Sequence, residues 1–553
     1  MKVPMKDSMK IALIAMSGIR AENPELMELG MKLPRFLERA QTLFEMPSLS
    51  LLTLAGMTPP EIEIEYREYR DFPSEEPPEC DLAAITSFTA QIEDAYRIAD
   101  IYRARGTKVV MGGLHVSRMP EEAAQHADAV AIGEGELLWP RIVEDFREDF
   151  RQGRLQARYQ RPYGKGYDFA QSPMPRYDLL DPAKYNRFPV QTSRGCPLKC
   201  EFCASSIMLT PRYTHKPVER VIAEIREIKK RWRRPFVEFA DDNTFADPRY
   251  GRKLVEAIAQ ENVRWFAETD ISIAQDEELL RMIGQSGCRQ ILVGLETPSA
   301  AGLNGIELQS NWKYRKRDFY RQAIERIQSH GITLNGCFVL GLDGDTEEVF
   351  DLIPRFVEET ALYDVQVTVQ TPFPGTPLYS RLLASGRLIE PRNWRKCSLF
   401  DVNFHPLHMT ATRLEQKFHE LVKLMYTDEA ITARHRRFVQ VYGDSFRKTD
   451  PLIQLQGFEI LAEGGAEVGA AQSKFHGGSE ETEFVAGIIA GALEPPAVDG
   501  ALAQQGPQRV GQLDLPARAG RSRSQRIKYF RLQDVAADDG QIRGSVLGGG
   551  LFH

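Results

Sequence analysis

The chain has no long hydrophobic run: nowhere do its 553 residues approach the roughly 18 uninterrupted apolar positions that a membrane span requires. The apolar stretch after Lys10, Ile11 to Met16, is also too short for the core of a secretory signal. There is no excess of basic charge. With 70 Lys and Arg against 77 Asp and Glu the formal net charge is -7, which removes any general attraction to phosphate backbones or anionic lipid. Cysteine is sparse. Seven in this length, an odd number, do not make a disulfide framework and point to a reducing compartment. These absences lead to the expectation of a soluble, cytoplasmic protein with no nucleic-acid partner and no membrane span.

What is present is enough apolar sequence for two or three globular units. Residues 1–151 alternate short apolar runs with helical patterns, as a parallel sheet with crossover helices does. The runs predict five strands: Ile11 to Met16, Glu61 to Tyr66, Leu82 to Ser87, Lys108 to Met111 and Ala129 to Ile132. In a doubly wound sheet the ligand lies beyond the carboxyl ends of the strands. That places Gly112, Gly113, His115 and the turn Gly133-Glu134-Gly135-Glu136 on the binding edge. Residues 152–186, punctuated by Pro173, Pro175 and Pro182, read as a linker packed over the surface.

The alternation resumes over residues 187–399. Strands are expected near Phe188 to Thr192, Phe236 to Ala240, Trp265 to Glu268, Ile291 to Leu295, Thr333 to Leu340 and Val365 to Val369, with helices between them. Six strand and helix units predict an incomplete parallel barrel whose chemistry occupies the carboxyl ends of its strands. Residues 400–450 form an extension with a helix from Leu414 to Tyr426. Residues 451–553, rich in Gly, Ala, Gln, Pro and Ser and carrying an acid-free basic stretch from Arg518 to Arg531, read as a disordered tail.

Three of the seven cysteines, Cys196, Cys200 and Cys203, fall on one loop after the first barrel strand, in the segment Thr192-Ser193-Arg194-Gly195-Cys196-Pro197-Leu198-Lys199-Cys200-Glu201-Phe202-Cys203. Thiolates are soft ligands for zinc or iron–sulfur clusters. A closed zinc site or an electron-transfer cluster uses four protein ligands, whereas three cysteines around four irons leave one iron open to a substrate. A zinc site completed by a remote His or Cys is the alternative.

The spacing, Phe202 before the last cysteine, and the position after the first strand of a partial barrel resemble the radical S-adenosylmethionine superfamily. The resemblance implies that Cys196, Cys200 and Cys203 hold a [4Fe-4S] cluster. Its open iron would chelate S-adenosylmethionine, and reductive cleavage would give a 5′-deoxyadenosyl radical, sheltered from water inside the barrel. It further implies cofactor contacts from Phe202, from Asp241 after the second strand, where no Gly-Gly-Glu stands, and from Glu296 at the end of the fourth. The turn Gly341 to Asp345 is similar to the family's turn near the adenine. Asp241 and Glu296 have an ordinary alternative as helix caps.

The preceding doubly wound domain, the glycine edge with His115, Gly133 and Glu134, and the stretch Pro173 to Asp181 resemble the cobalamin-binding branch. Glycines after strands admit a flat macrocycle close to the backbone. No Asp-x-His-x-x-Gly motif occurs, so His115 is expected to order its loop or meet the corrin edge rather than ligate cobalt. Retention of the domain without cobalamin is the alternative. The implied reaction is cobalamin-dependent methylation of an unactivated carbon or phosphorus in a small-molecule substrate, with a flavodoxin or ferredoxin as electron donor. The other readings are radical oxidation or cyclisation without methyl transfer, and a non-enzymatic metal- or corrinoid-binding sensor.

Overall fold

In the computed structural model the described residues are 9–18, 21–33, 46–74, 76–148, 155–162, 166–185, 187–208 and 212–449. The expectation for the tail 451–553 lies outside them. Two six-stranded sheets, each parallel throughout, carry the architecture. Among the described residues no helix is long and apolar enough to cross a membrane.

The first sheet contains β1 (Lys10–Met16), β2 (Glu63–Tyr69), β3 (Leu82–Ser87), β4 (Lys108–Gly112), β5 (Ala129–Ile132) and β6 (Arg158–Gln160), in the order β2-β1-β3-β4-β5-β6. The order reverses at β1, as in doubly wound folds. Alternate residues of the inner strands serve two separate cores. Ile11, Leu13, Leu82, Ala84 and Val110 pack on one face, and Ala12, Ile14, Ala83, Ile85 and Met111 on the other. A parallel sheet covered by helices on both sides needs that continuous apolar character.

The expected five-stranded sheet is corrected to six, because the supposed linker supplies β6. That strand has three residues and a single buried side chain, Tyr159, so no apolar periodicity announces it. The linker is not a surface strap either. Tyr177 and Leu180 enter the core of the second sheet, and the Tyr177 hydroxyl donates to the Pro189 carbonyl at 2.9 Å.

The second sheet runs β14-β13-β12-β11-β10-β7, with β7 (Arg187–Val190), β10 (Phe236–Phe239), β11 (Arg264–Thr269), β12 (Cys288–Glu296), β13 (Thr333–Leu340) and β14 (Asp364–Val369). It is the expected six-stranded partial barrel. A two-stranded hairpin, β8 (Ser193–Arg194) with β9 (Thr214–His215), frames the cysteine loop. Helices cover one face through Val237, Ile291, Val293, Leu334, Phe338 and Val367. The alternate residues on the other face include Glu238, Glu268, Gln290, Asn335, Cys337, Gln366 and Thr368, and are mostly polar. The extension contains the expected helix, over Ala411–Met425, and a second, Asp428–Thr449, whose Phe438, Tyr442 and Phe446 pack with Ala361.

Candidate functional site

The cysteine loop leaves β8 through Gly195, whose φ of +90° belongs to the glycine-favouring region. Its peptide N–H donates to Asp242 Oδ2 at 2.8 Å. From there the loop is pinned on its far side. Glu201 N donates to the Ile306 carbonyl at 2.9 Å, Leu308 N donates to the Lys199 carbonyl at 3.1 Å, and Cys200 bridges to Glu307. Glu201 also pairs with Arg381 at 2.6 Å, on the helix after β14. A loop held at both ends presents its side chains with little freedom.

Cys200 is buried, and Cys196 and Cys203 are half-buried; all are free thiols. Burial pushes the Cys196 and Cys200 thiols up, and the charge of Lys313 opposes that at both. Donors also face sulfur: Asn243 Nδ2 lies 3.6 Å from Cys196 Sγ and Ser206 N lies 3.5 Å from Cys203 Sγ. Hydrogen bonds to sulfur and a nearby cation are what an anionic iron–sulfur cluster needs from its surroundings. Among the described residues no group of three or more His, Cys, Asp or Glu is gathered tightly enough for a single metal ion. A cubane asks for a wider arrangement, one cysteine to each of three irons, and the donor set fits it. Phe202 is partly buried against the barrel core.

Asp241 is buried and fully engaged in holding the loop. Its carboxylate accepts from Thr192 N at 2.7 Å, Thr192 Oγ1 at 2.5 Å, Ser193 N at 2.9 Å and Thr244 Oγ1 at 2.9 Å. Burial nevertheless pushes it up to about 6. Its neighbour Asn243 faces Cys196 and is fixed by Thr269 Oγ1, which donates to its Oδ1 at 2.9 Å.

Glu296 sits where β12 bulges against β13, with φ +62°. Bulges re-aim side chains near functional sites. Here the carboxylate is turned directly onto Lys313, both side chains being buried; the Lys313 Nζ also donates to the Gly294 carbonyl at 3.0 Å. A Cβ on Gly294 would lie 2.6 Å from Glu296 Oε1, so any other residue there would displace the carboxylate from its present place. Burial alone would strip the charge from Lys313, but Glu296 outweighs it and holds the ammonium well above its ordinary range. Sequence reasoning missed Lys313, which lies 17 residues beyond Glu296 in a basic run indistinguishable from a solvated helix face.

On the other sheet, Gly112 ends β4, Gly113 follows it, and Gly133 follows β5. Gly113 has φ +103°, and a Cβ there would meet Thr86 Oγ1 at 2.6 Å, so the glycine is demanded by the turn's own packing as well as by any ligand. The half-exposed Phe88 ring follows β3, next to the strand that Gly112 ends, and offers an apolar surface at a bare backbone edge, which fits a flat macrocycle. His115 is buried in the short helix Leu114–Arg118. Its Nε2 lies 3.4 Å from Glu122 and its ring meets Trp394 edge-on at 5.1 Å, an arrangement that orders the loop. Glu134 is buried, pairing with Arg161 at 2.9 Å and with Arg194 at 3.5 Å. Arg194 belongs to β8, so the glycine edge and the cysteine loop are brought together.

These features define a radical-generating barrel joined to a corrinoid-type domain. Residues 190–357 match the Radical SAM superfamily, residues 75–143 match the B12 binding domain, and residues 376–474 match a domain of unknown function, DUF4070. The chain carries a radical S-adenosylmethionine domain and a B12-binding domain; it is an enzyme, and its cofactors are a [4Fe-4S] cluster, S-adenosylmethionine and cobalamin.

Two relatives come from Chlorobaculum tepidum. The bacteriochlorophyllide d C-12(1)-methyltransferase is 27% identical over 359 residues, 64% of this chain and 76% of that protein. The bacteriochlorophyllide d C-8(2)-methyltransferase is 27% identical over 372 residues, 63% and 78% of the two. Among solved structures, the cobalamin-dependent S-adenosylmethionine radical enzyme OxsB, with aqua-cobalamin bound, is similar in fold with a TM-score of 0.54. The identity is 13%, covering 85% of this chain and 75% of that one.

Proposed function

We propose that this protein is a cobalamin-dependent radical S-adenosylmethionine methyltransferase acting on an unactivated carbon of a small molecule. The observation that carries the reading is the direct connection, through Arg194, of the three-cysteine loop to the glycine edge of the B12-binding domain. Similarity to methyltransferases covers 64% and 63% of the chain. Cys196, Cys200 and Cys203 would hold the cluster. Gly112, Gly113 and Gly133 would form the corrin edge, with Glu134 fixing the turn. When bound, these groups supply radical hydrogen abstraction and a transferable methyl group.

The chain's own part is orientation and shelter. Asp241 and Asp242 hold the loop, so Asp241 is better read as a positioning group than as a cofactor contact; Lys313 keeps a positive charge beside Cys200, and Asn243 and Glu296 stand near strand ends where the methionyl part of the cofactor would be gripped. The polar inner face of the barrel would take the substrate. A flavodoxin or ferredoxin would deliver the electron.

The test is product analysis after anaerobic reconstitution. A methyltransferase forms S-adenosylhomocysteine together with 5′-deoxyadenosine. Formation of 5′-deoxyadenosine alone, with a genuine substrate turned over, would replace this reading with radical oxidation or cyclisation.

A further inference from the structure

Arg194 stands two residues before Cys196, yet its side chain leaves the barrel. Its guanidinium reaches Glu136 Oε1 at 2.8 Å and Glu134 Oε1 at 3.5 Å, the two carboxylates that flank Gly135 in the turn after β5. It also donates to Gln191 Oε1 at 2.9 Å and lies over the Phe169 ring at 4.6 Å. All three charged side chains are largely buried, 13% exposed for Arg194, 6% for Glu134 and 10% for Glu136. A second cation, Arg161, completes the group through Glu134, so two positive and two negative charges balance.

The turn beyond is no looser. Gly133 N donates to Ser117 Oγ at 3.0 Å, and that hydroxyl donates to the Gly113 carbonyl at 2.7 Å. A continuous path thus runs from Gly113 through Ser117 to Gly133, along the backbone to Glu134 and Glu136, and through Arg194 to the cysteine loop.

We infer that Arg194 is a positioning residue that couples the two cofactor sites, so that a filled cluster loop strengthens cobalamin binding and bound cobalamin strengthens retention of the cluster. The inference rests on the functional reading above. A buried guanidinium forked between two carboxylates tolerates little displacement, because losing one partner leaves a desolvated charge. Ordering the loop around a cluster therefore orders the turn, and the reverse holds by linkage. A lysine keeps the charge but cannot serve two carboxylates in one plane.

The test uses the full chain and aquacobalamin as the probe. Its dissociation constant is measured by absorbance titration with the cluster present and in the Cys196→Ala/Cys200→Ala/Cys203→Ala protein, and the ratio of the two constants is the coupling. We expect about tenfold in the wild type, within the range usual for coupled sites. That ratio should fall close to one in Arg194→Met and to an intermediate value in Arg194→Lys. Glu136→Gln, which keeps the arginine, should lower it too and serves if Arg194→Met does not fold. A purely structural role would lower thermal stability in these variants and leave the ratio untouched, which overturns the coupling. Wild-type protein that binds both cofactors with a ratio of one overturns this inference alone. Protein that binds neither overturns the functional reading and this with it.

Discussion

The two sheets of this protein have the same number of strands and the same parallel sense, and they use their faces in opposite ways. In the amino-terminal sheet both faces of the inner strands are apolar and covered, which leaves the carboxyl edge, where Gly113 and Gly133 bare the backbone, as the open end of those strands. In the barrel sheet one face is an apolar core and the other carries Glu238, Glu268, Asn335, Gln366 and Thr368. Polar side chains are retained on a concave face when the face has work besides packing. On the proposed reading one sheet is a platform for a flat cofactor, and the other is a container for a reaction.

The largest way to separate them is to remove Cys200, proposed above as a cluster ligand. Cys200→Ala should abolish 5′-deoxyadenosine formation and drop bound iron from about four per chain, the content of a cubane, while aquacobalamin still binds the first sheet. Iron analysis and chromatography of the products measure both, and residual cleavage at the wild-type rate would contradict the ligand assignment.

The converse experiment attacks the platform. Ile14 is fully buried in the core on one side of the first sheet. Ile14→Ala should cost about 2–5 kcal/mol of stability by lost burial and the cavity left behind. Denaturant unfolding of the cofactor-free protein reads the loss. Iron content per folded chain should stay at the wild-type value.

The divide between the sheets also explains what could be read from the amino acids alone. Leu82 to Ser87, Ala129 to Ile132 and Thr333 to Leu340 appear at the expected boundaries, because buried parallel strands are short apolar runs bounded by polar or glycine-containing turns. The strand expected at Glu61 to Tyr66 lies at Glu63–Tyr69: it is an edge strand whose every second residue is charged or polar, so its ends carry no apolar signal. The cysteine loop was legible from spacing, since its chemistry is local. Lys313 and the role of Arg194 were not. Each finds its carboxylate across a long gap in sequence, Glu296 through a bulge and Glu136 through the packing of one domain on the other. Periodicity reports which face a residue occupies; it does not report which charge meets which.

A smaller effect, of defined sign, comes from the carboxyl end of the barrel. Asp345 is buried, its Oδ2 accepting from Leu342 N at 3.0 Å, and burial raises it from 3.8 to about 7. The folded protein therefore holds this proton more tightly than the unfolded chain does. The stabilisation is complete below about pH 4 and is lost as pH rises through about 7, with a limiting slope of about 1.4 kcal/mol per pH unit. Asp241, raised to about 6, adds a slope of the same sign, so the informative quantity is the difference between wild type and Asp345→Asn. Unfolding free energies at pH 5 and pH 8 should show the variant gaining on the wild type at the higher pH. Parallel profiles would mean that Asp345 is ionised in the folded state without penalty.

The smallest expected change in stability, and the sharpest test of the comparison, lies on the inner face of the barrel. Gln366 stands opposite Cys337 in the register of β13 and β14, and its Oε1 is buried without a hydrogen-bond partner among the described residues. Gln366→Leu removes a carbonyl oxygen that the described residues do not satisfy, so stability should move by less than about 1 kcal/mol in either direction. If this face is the container, the KM for the methyl acceptor should rise several-fold while the affinity for aquacobalamin stays the same. A clear loss of stability with KM unchanged would mean that the inner face is a second structural core, and that the two sheets differ in composition only.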